Sequence, residues 1–180
     1  MADPKPRSHP LFRFVVPALV TLIILGVASP FLVNAYKNKQ LSLNEKAVFE
    51  LFKAYSHAQA DYFSKNQAYA QDLGELNPAW AKANLDAQNP GEISGYRLRI
   101  LTAQGSQNGP GSSKSFRDAS GRLTGGFGLL GVPVKYGFTG RHTFLSSSTE
   151  IYACDLGVKG HLFTSTLQYF MIPQDAVRLE

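Results

Sequence analysis

Between Phe14 and Val33 the chain reads FVVPALVTLIILGVASPFLV, without a charged residue. Roughly twenty apolar or small residues in succession match the length of a helix that crosses a hydrocarbon core of ~30 Å. The run predicts a transmembrane helix over 14–35, with residues 1–13 as a polar tail and residues 36–180 as a single head domain. A buried core helix is normally shorter and interrupted by polar positions. A cleaved secretory signal has a shorter apolar stretch ending in a small-residue cleavage site, and Ala28-Ser29-Pro30 is a poor one because Pro30 would hinder cleavage. Pro17 and Pro30 each remove a backbone donor, which predicts a kink or a fresh helical start at both. Gly26, Ala28 and Ser29 form a small-residue patch that lets another helix approach closely. Pro17, Gly26, Ala28, Ser29 and Pro30 are therefore the candidate partner-contact residues of the span.

The pattern then changes period. Ser42 and Glu45 have the S-x-x-E spacing of a capping box and predict a helix start. Val48, Leu51, Phe52, Tyr55, Ala58, Tyr62 and Phe63 recur at spacings of three and four, which places them on one face. Glu50, Lys53, Gln59, Asp61 and Lys65 fall on the other, and the helix is expected to end near Asn66. A short helical turn follows from Pro78 to Asn84, with Pro78 in its first turn and Trp80 sealing one edge of the core. Asn89-Pro90-Gly91 signals a turn.

Beyond it the period becomes two. Tyr96-Arg97-Leu98-Arg99-Ile100 predicts a half-buried strand with both arginines outward. The Gly/Ser-rich stretch from 103 to 126 lacks the apolar content for a core and predicts an exposed excursion. Phe127 to Val134 reads as a second strand, with a bulge or edge position near Pro133. His142–Leu145 and Ile151–Cys154 read as two strands of a hairpin across a Ser-rich turn. Residues from His161 to Ile172 are expected to add a final strand or cover an edge. One helix face and one sheet face must bury each other, so the fold class is α+β: a long amphipathic helix packed on a roughly four-stranded antiparallel sheet.

The net charge of +5 and the pI of about 9.4 change this picture little. Lys5, Arg7 and Arg13 precede the apolar run, and Lys37, Lys39 and Lys46 follow it. This near balance gives only a slight lean on orientation by the positive-inside rule. No Lys/Arg cluster forms a phosphate-binding face, so nucleic acid is not an expected partner. Cys154 is the single cysteine and rules out an internal disulfide, and no Cys/His cluster has zinc-site spacing. The one nucleophile, base and orienter set worth naming is Cys154, His142 and Asp155 on the hairpin. A cysteine on an apolar strand is more often a buried, inert thiol. His57 reads as a surface residue, and neither Gly125-Gly126 nor the glycine-rich stretch from Gly105 to Gly111 opens a helix after a strand as a phosphate cradle does. Neither catalysis, a cofactor, a metal nor a small-molecule substrate is expected.

The layout resembles type IV pilins and the pseudopilins of type II secretion. The stretch LNEKAVFELFKAYSHAQADYFSKNQAYAQDL from Leu43 is similar to the helix region of many pseudopilin-like bacterial proteins. GYRLRILTAQG from Gly95, then GGFGLLGVPVKYGFTGRHTFL and IYACDLG, resemble an uncharacterised family of bacterial envelope proteins. The pilin resemblance implies a spanning helix that continues into an amphipathic helix over an antiparallel sheet. The sequence departs from prepilins at Leu11-Phe12-Arg13-Phe14-Val15-Val16-Pro17, where no glycine precedes the apolar run and no glutamate sits inside it. In pilins that glutamate neutralises a neighbouring subunit's amino terminus during assembly. The resulting expectation is a non-catalytic, single-pass structural or accessory subunit of a larger complex in the bacterial inner membrane. Its partners would be the lipid bilayer and other membrane-protein subunits, with the head on the periplasmic side. A divergent pseudopilin or minor pilin, and a Cys/His-dependent hydrolase, are the alternatives.

Overall fold

The computed structural model describes residues 10–105, 114–158 and 176–179, with side chains from residue 29 onward. The chain divides into two compact units, Met1–Lys39 and Gln40–Glu180. The first α-helix, α1, runs over Pro10–Asn66.

In the first unit the helix passes Pro17 and Pro30 without a break, so neither starts a new segment. A proline removes one i→i−4 hydrogen bond, and the turns on either side carry the helix past it. Most of the predicted span lies outside the described side chains, Pro17, Gly26 and Ala28 included; Ser29 and Pro30 are exposed. Phe31, Leu32, Val33 and Tyr36 are between 64% and 73% exposed. Among the described residues no helix is long and apolar enough to cross a membrane.

In the second unit, α1 buries Leu41, Val48, Leu51, Phe52 and Tyr55 along one face. Ser42 and Glu45 do not start a helix, because both lie inside α1. Its backbone donors there already have helical partners, which frees the Glu45 side chain for another task. Gln59, whose spacing suggested solvent, is fully buried. Its amide copies a strand partner: Oε1 accepts from the Ala70 N–H at 2.8 Å, and Nε2 donates to the Ala70 carbonyl at 3.1 Å and to the Tyr55 hydroxyl at 2.9 Å. The helix ends at Asn66 as expected. Two short helices follow, α2 (Leu73–Leu76) and α3 (Pro78–Ala81), capped by the Asp72 and Asn77 side chains, with Pro78 at the start of α3.

Among the described residues seven strands follow: β1 (Tyr96–Leu101), β2 (Ala103–Gln104), β3 (Lys114–Ser115), β4 (Gly128–Pro133), β5 (Thr143–Ser146), β6 (Ile151–Cys154) and β7 (Val177–Leu179). The main sheet, among the described residues, is five-stranded and antiparallel in the order β1-β4-β5-β6-β7. β5 and β6 form the expected hairpin, turned by Ser147, whose hydroxyl accepts from the Thr149 and Glu150 amides. β7 is the additional strand; the one expected over 161–172 lies outside the described residues. Pro133 does not mark a sheet edge, since β4 sits between β1 and β5. It lies beyond the last residue paired with β5, Gly131, so its missing N–H removes no bond on that side.

The centre of the sheet, β4 and β5, is buried on both faces, which the alternation in β1 did not anticipate. Toward α1 stand Tyr96, Leu98, Leu129, Phe144 and Ala153, with Trp80 packed at the side. Gly131 belongs to this layer: a Cβ there would lie 2.9 Å from the Phe52 ring. On the opposite face Leu101, Leu130, Val132 and Leu145 form a second cluster with Tyr152. All six residues of β4 are buried. Its unbroken apolar run is the sequence mark of a strand covered on both sides. The described part of the 103–126 stretch, residues 103–105 and 114–126, is also less exposed than its composition implies. Phe116 and Leu123 are buried there, and the Leu123 carbonyl accepts from the Tyr69 N–H at 2.7 Å.

Candidate functional site

The recurrence of Ser42, Glu45, Lys46 and Phe49 at three- and four-residue spacing puts them on one stripe of α1. Opposite stand Val177 and Leu179 of β7, and between the two walls lie Phe144 of β5 and Ala153 of β6. His142 and Asp155, at the ends of these strands, complete the rim. The result is a groove of about 750 Å³ with an apolar floor and a polar margin. Phe52 of α1 packs on Gly131 of β4 and on the Phe144 ring of β5, while the small Ala153 side chain of β6 lines the groove toward β7.

Glu45 organises the rim. Its Oε1 accepts from the backbone N–H groups of Arg141 at 2.8 Å and His142 at 3.2 Å, and its Oε2 lies 3.0 Å from His142 Nδ1. One residue earlier, the Asn44 amide donates to the Thr139 carbonyl at 2.8 Å. These contacts fasten the loop before β5 onto α1. The Tyr96 hydroxyl reaches the same loop from β1, donating to the His142 carbonyl at 2.9 Å. Burial raises the Tyr96 hydroxyl's pKa, with the Glu45 carboxylate adding to the effect, so the group stays a donor.

Asp155 is held differently. Its Oδ1 accepts from the Tyr136 hydroxyl at 2.7 Å and from the Gly157 N–H at 3.0 Å. The Tyr136 bond leads in holding its carboxyl below the ordinary range, with the Gly157 amide and the nearby His142 and Arg141 also contributing against partial burial. That same bond raises the Tyr136 hydroxyl.

The three residues of the candidate nucleophilic set are thus separated by role. His142 gives its ring to Glu45. Asp155 is taken up by Tyr136 and Gly157. Cys154 is 2% exposed and stands opposite Thr143 in the β5–β6 ladder. His142 and Asp155 line the groove, and Cys154 does not. His57 is exposed, as its place on the helix suggested, and His161 lies outside the described residues. Among the described residues no group of three His, Cys, Asp or Glu side chains is placed to hold a metal ion.

The family model described as a protein of unknown function, DUF2950, matches residues 68–176, more than half of the 180-residue chain. The chain belongs to the DUF2950 family. No curated protein and no solved structure matches it. The DUF2950 match begins two residues after α1 ends and stops one residue before β7 starts. Its core is nevertheless closed by α1 through Val48, Leu51, Phe52 and Tyr55. The groove has the same composite origin: β5 and β6 lie inside the matched region, whereas both walls, α1 and β7, lie outside it.

Sequence reasoning missed Glu45, Lys46 and the β7 wall. The helical spacing of Ser42, Glu45, Lys46 and Phe49 was the available signal, but Ser42 and Glu45 also fit a capping box, and that local reading competed with it.

Proposed function

We propose that this DUF2950 protein is a non-catalytic, single-span membrane protein that acts as an accessory or structural subunit of a larger assembly. The observation that carries the reading is the uncharged run from Phe14 to Val33, which meets the length criterion for a spanning helix. The exposure of Phe31, Leu32, Val33 and Tyr36 supports it. Four neighbouring large apolar side chains facing outward on a helix call for a non-aqueous or protein environment. The separation of Cys154, His142 and Asp155 into different contacts supports a binding role for the head over a hydrolytic one. In this reading the bacterial inner membrane holds the chain, and the groove and loops of the head meet neighbouring subunits.

Alkaline carbonate washing of membranes from cells making the full chain tests the anchor. The protein is expected to stay in the pellet and to leave it only with detergent, and mild-detergent purification should bring partner subunits with it. Recovery in the aqueous wash as a monodisperse species would overturn the proposal. A long helix over an antiparallel sheet also favours a second reading, a divergent pseudopilin or minor pilin. Mass spectrometry of the mature amino terminus separates the two, because processing within the first turns of the apolar run belongs to the pilin reading alone.

A further inference from the structure

We infer that the loop from Lys135 to Arg141, together with Leu43 of α1, is a second membrane contact of this protein, a surface that lies on anionic phospholipid headgroups. The inference rests on the membrane-anchored reading above and adds to it a partner for the head.

Among the described residues of the second unit, the exposed large apolar side chains are Leu43, Phe138, Val158 and Val177. Leu43 and Phe138, 52% and 53% exposed, belong to segments that are tied together. Asn44 donates to the Thr139 carbonyl at 2.8 Å, and Glu45 accepts from the Arg141 N–H at 2.8 Å. The loop is also closed on itself. The N–H groups of Phe138 and Thr139 donate to the Lys135 carbonyl at 3.0 and 2.9 Å, and Gly137, at φ 72°, makes the turn. A turn closed by its own backbone therefore carries an exposed phenyl ring, on a loop fastened to α1 at Asn44, the residue after the exposed Leu43. Lys135 Nζ lies 4.2 Å from the centroid of that ring.

The charges around the ring select the partner. Lys135 and Arg141 lie on the loop and Lys46 on the adjoining helix stripe, all three exposed. The nearby carboxylates, Glu45 and Asp155, are engaged by the loop's backbone amides and His142, and by Tyr136 and Gly157. The surface thus presents an aromatic and an aliphatic side chain within a net positive surround. That composition settles at the headgroup level of a bilayer, and each cation near an anionic leaflet adds attraction. Leu43 also follows Val33 by only ten residues in the chain.

The test uses the full chain with Phe138→Trp, reconstituted in phosphatidylcholine vesicles with and without phosphatidylglycerol. The unsubstituted protein, whose one tryptophan is Trp80, is the reference. Vesicle flotation reports the anchor. Quenching of the added emission by lipids brominated near the headgroup, and by aqueous iodide, reports the loop. With phosphatidylglycerol present, the added emission should be quenched by the brominated lipid and shielded from iodide. Adding Lys135→Glu and Arg141→Glu should lower the lipid quenching by about twofold or more. In the unsubstituted protein, amide exchange across 135–141 should slow when phosphatidylglycerol is added. A floating protein whose added emission responds to iodide alone, or equally to both vesicle types, overturns the headgroup contact and leaves the anchor standing; unchanged amide exchange does the same. A protein that does not float overturns the anchored reading and this inference with it.

Discussion

Replacing Gln59 by alanine removes a side chain that completes the hydrogen bonding of a buried peptide unit. Gln59 and Ala70 are both fully buried, and the amide satisfies the Ala70 N–H and C=O together. Truncation leaves a donor and an acceptor without partners, at about 1–3 kcal/mol each. It also opens a small void beside Tyr55. The Tyr55 hydroxyl keeps only a long bond to the Gly128 carbonyl, at 3.4 Å. The expected loss is about 3–5 kcal/mol, a large share of the roughly 5–15 kcal/mol that holds a domain of this size together. Urea titration of the full chain in non-ionic detergent, followed by Trp80 fluorescence, measures it. Trp80 is well placed to report, since its ring centroid lies 6.3 Å from that of Tyr55. Gln59→Glu adds a pH signature. The buried carboxyl has a folded pKa raised above its unfolded value of about 4.3. Below that value it is neutral in both states; as pH climbs toward the folded pKa, the unfolded chain releases its proton first and the variant loses stability. A loss below about 1 kcal/mol for Gln59→Ala, or a Gln59→Glu stability that does not fall with rising pH, would refute the account.

Substitutions at two further positions probe the packing and the rim. Gly131→Ala should cost about 1–3 kcal/mol in thermal unfolding, because its Cβ would press on the Phe52 ring at 2.9 Å; an unchanged midpoint would show that α1 shifts freely over the sheet. Glu45→Ala should cost about 1 kcal/mol and speed amide exchange at Arg141 and His142, the two N–H groups that its carboxylate accepts. Glu45→Gln keeps an acceptor oxygen and should restore most of that protection; equal exchange in all three proteins would remove Glu45 from its organising role.

Glu45 and Gln59 show why a site built this way resists reading from sequence. Glu45 reaches residues more than ninety positions away, and Gln59 pairs with the Ala70 backbone eleven positions on, beyond the end of α1. A polar residue on a helix reads as solvent-facing or as a cap until the opposing segment is known. The apolar stripe of Val48, Leu51, Phe52 and Tyr55 was legible because its period alone defines a face. His142 and Asp155 were legible as chemical residues, but the ring and the carboxylate hydrogen-bond to Glu45 and Tyr136 and act on each other only through charge. β7 escaped because three residues, Val177-Arg178-Leu179, are too few to show a period.

From sequence alone come the class of the fold, the end of α1 at Asn66, the β5–β6 hairpin and the proline start of α3. Each depends on interactions within a few residues, where spacing and backbone chemistry suffice. Tertiary structure alone decided that Gln59 turns inward and that Glu45 fastens the loop before β5. It also decided that a groove opens between α1 and β7. Those outcomes depend on which distant surfaces meet, because a polar atom or a bare sheet face takes its environment from whatever packs against it.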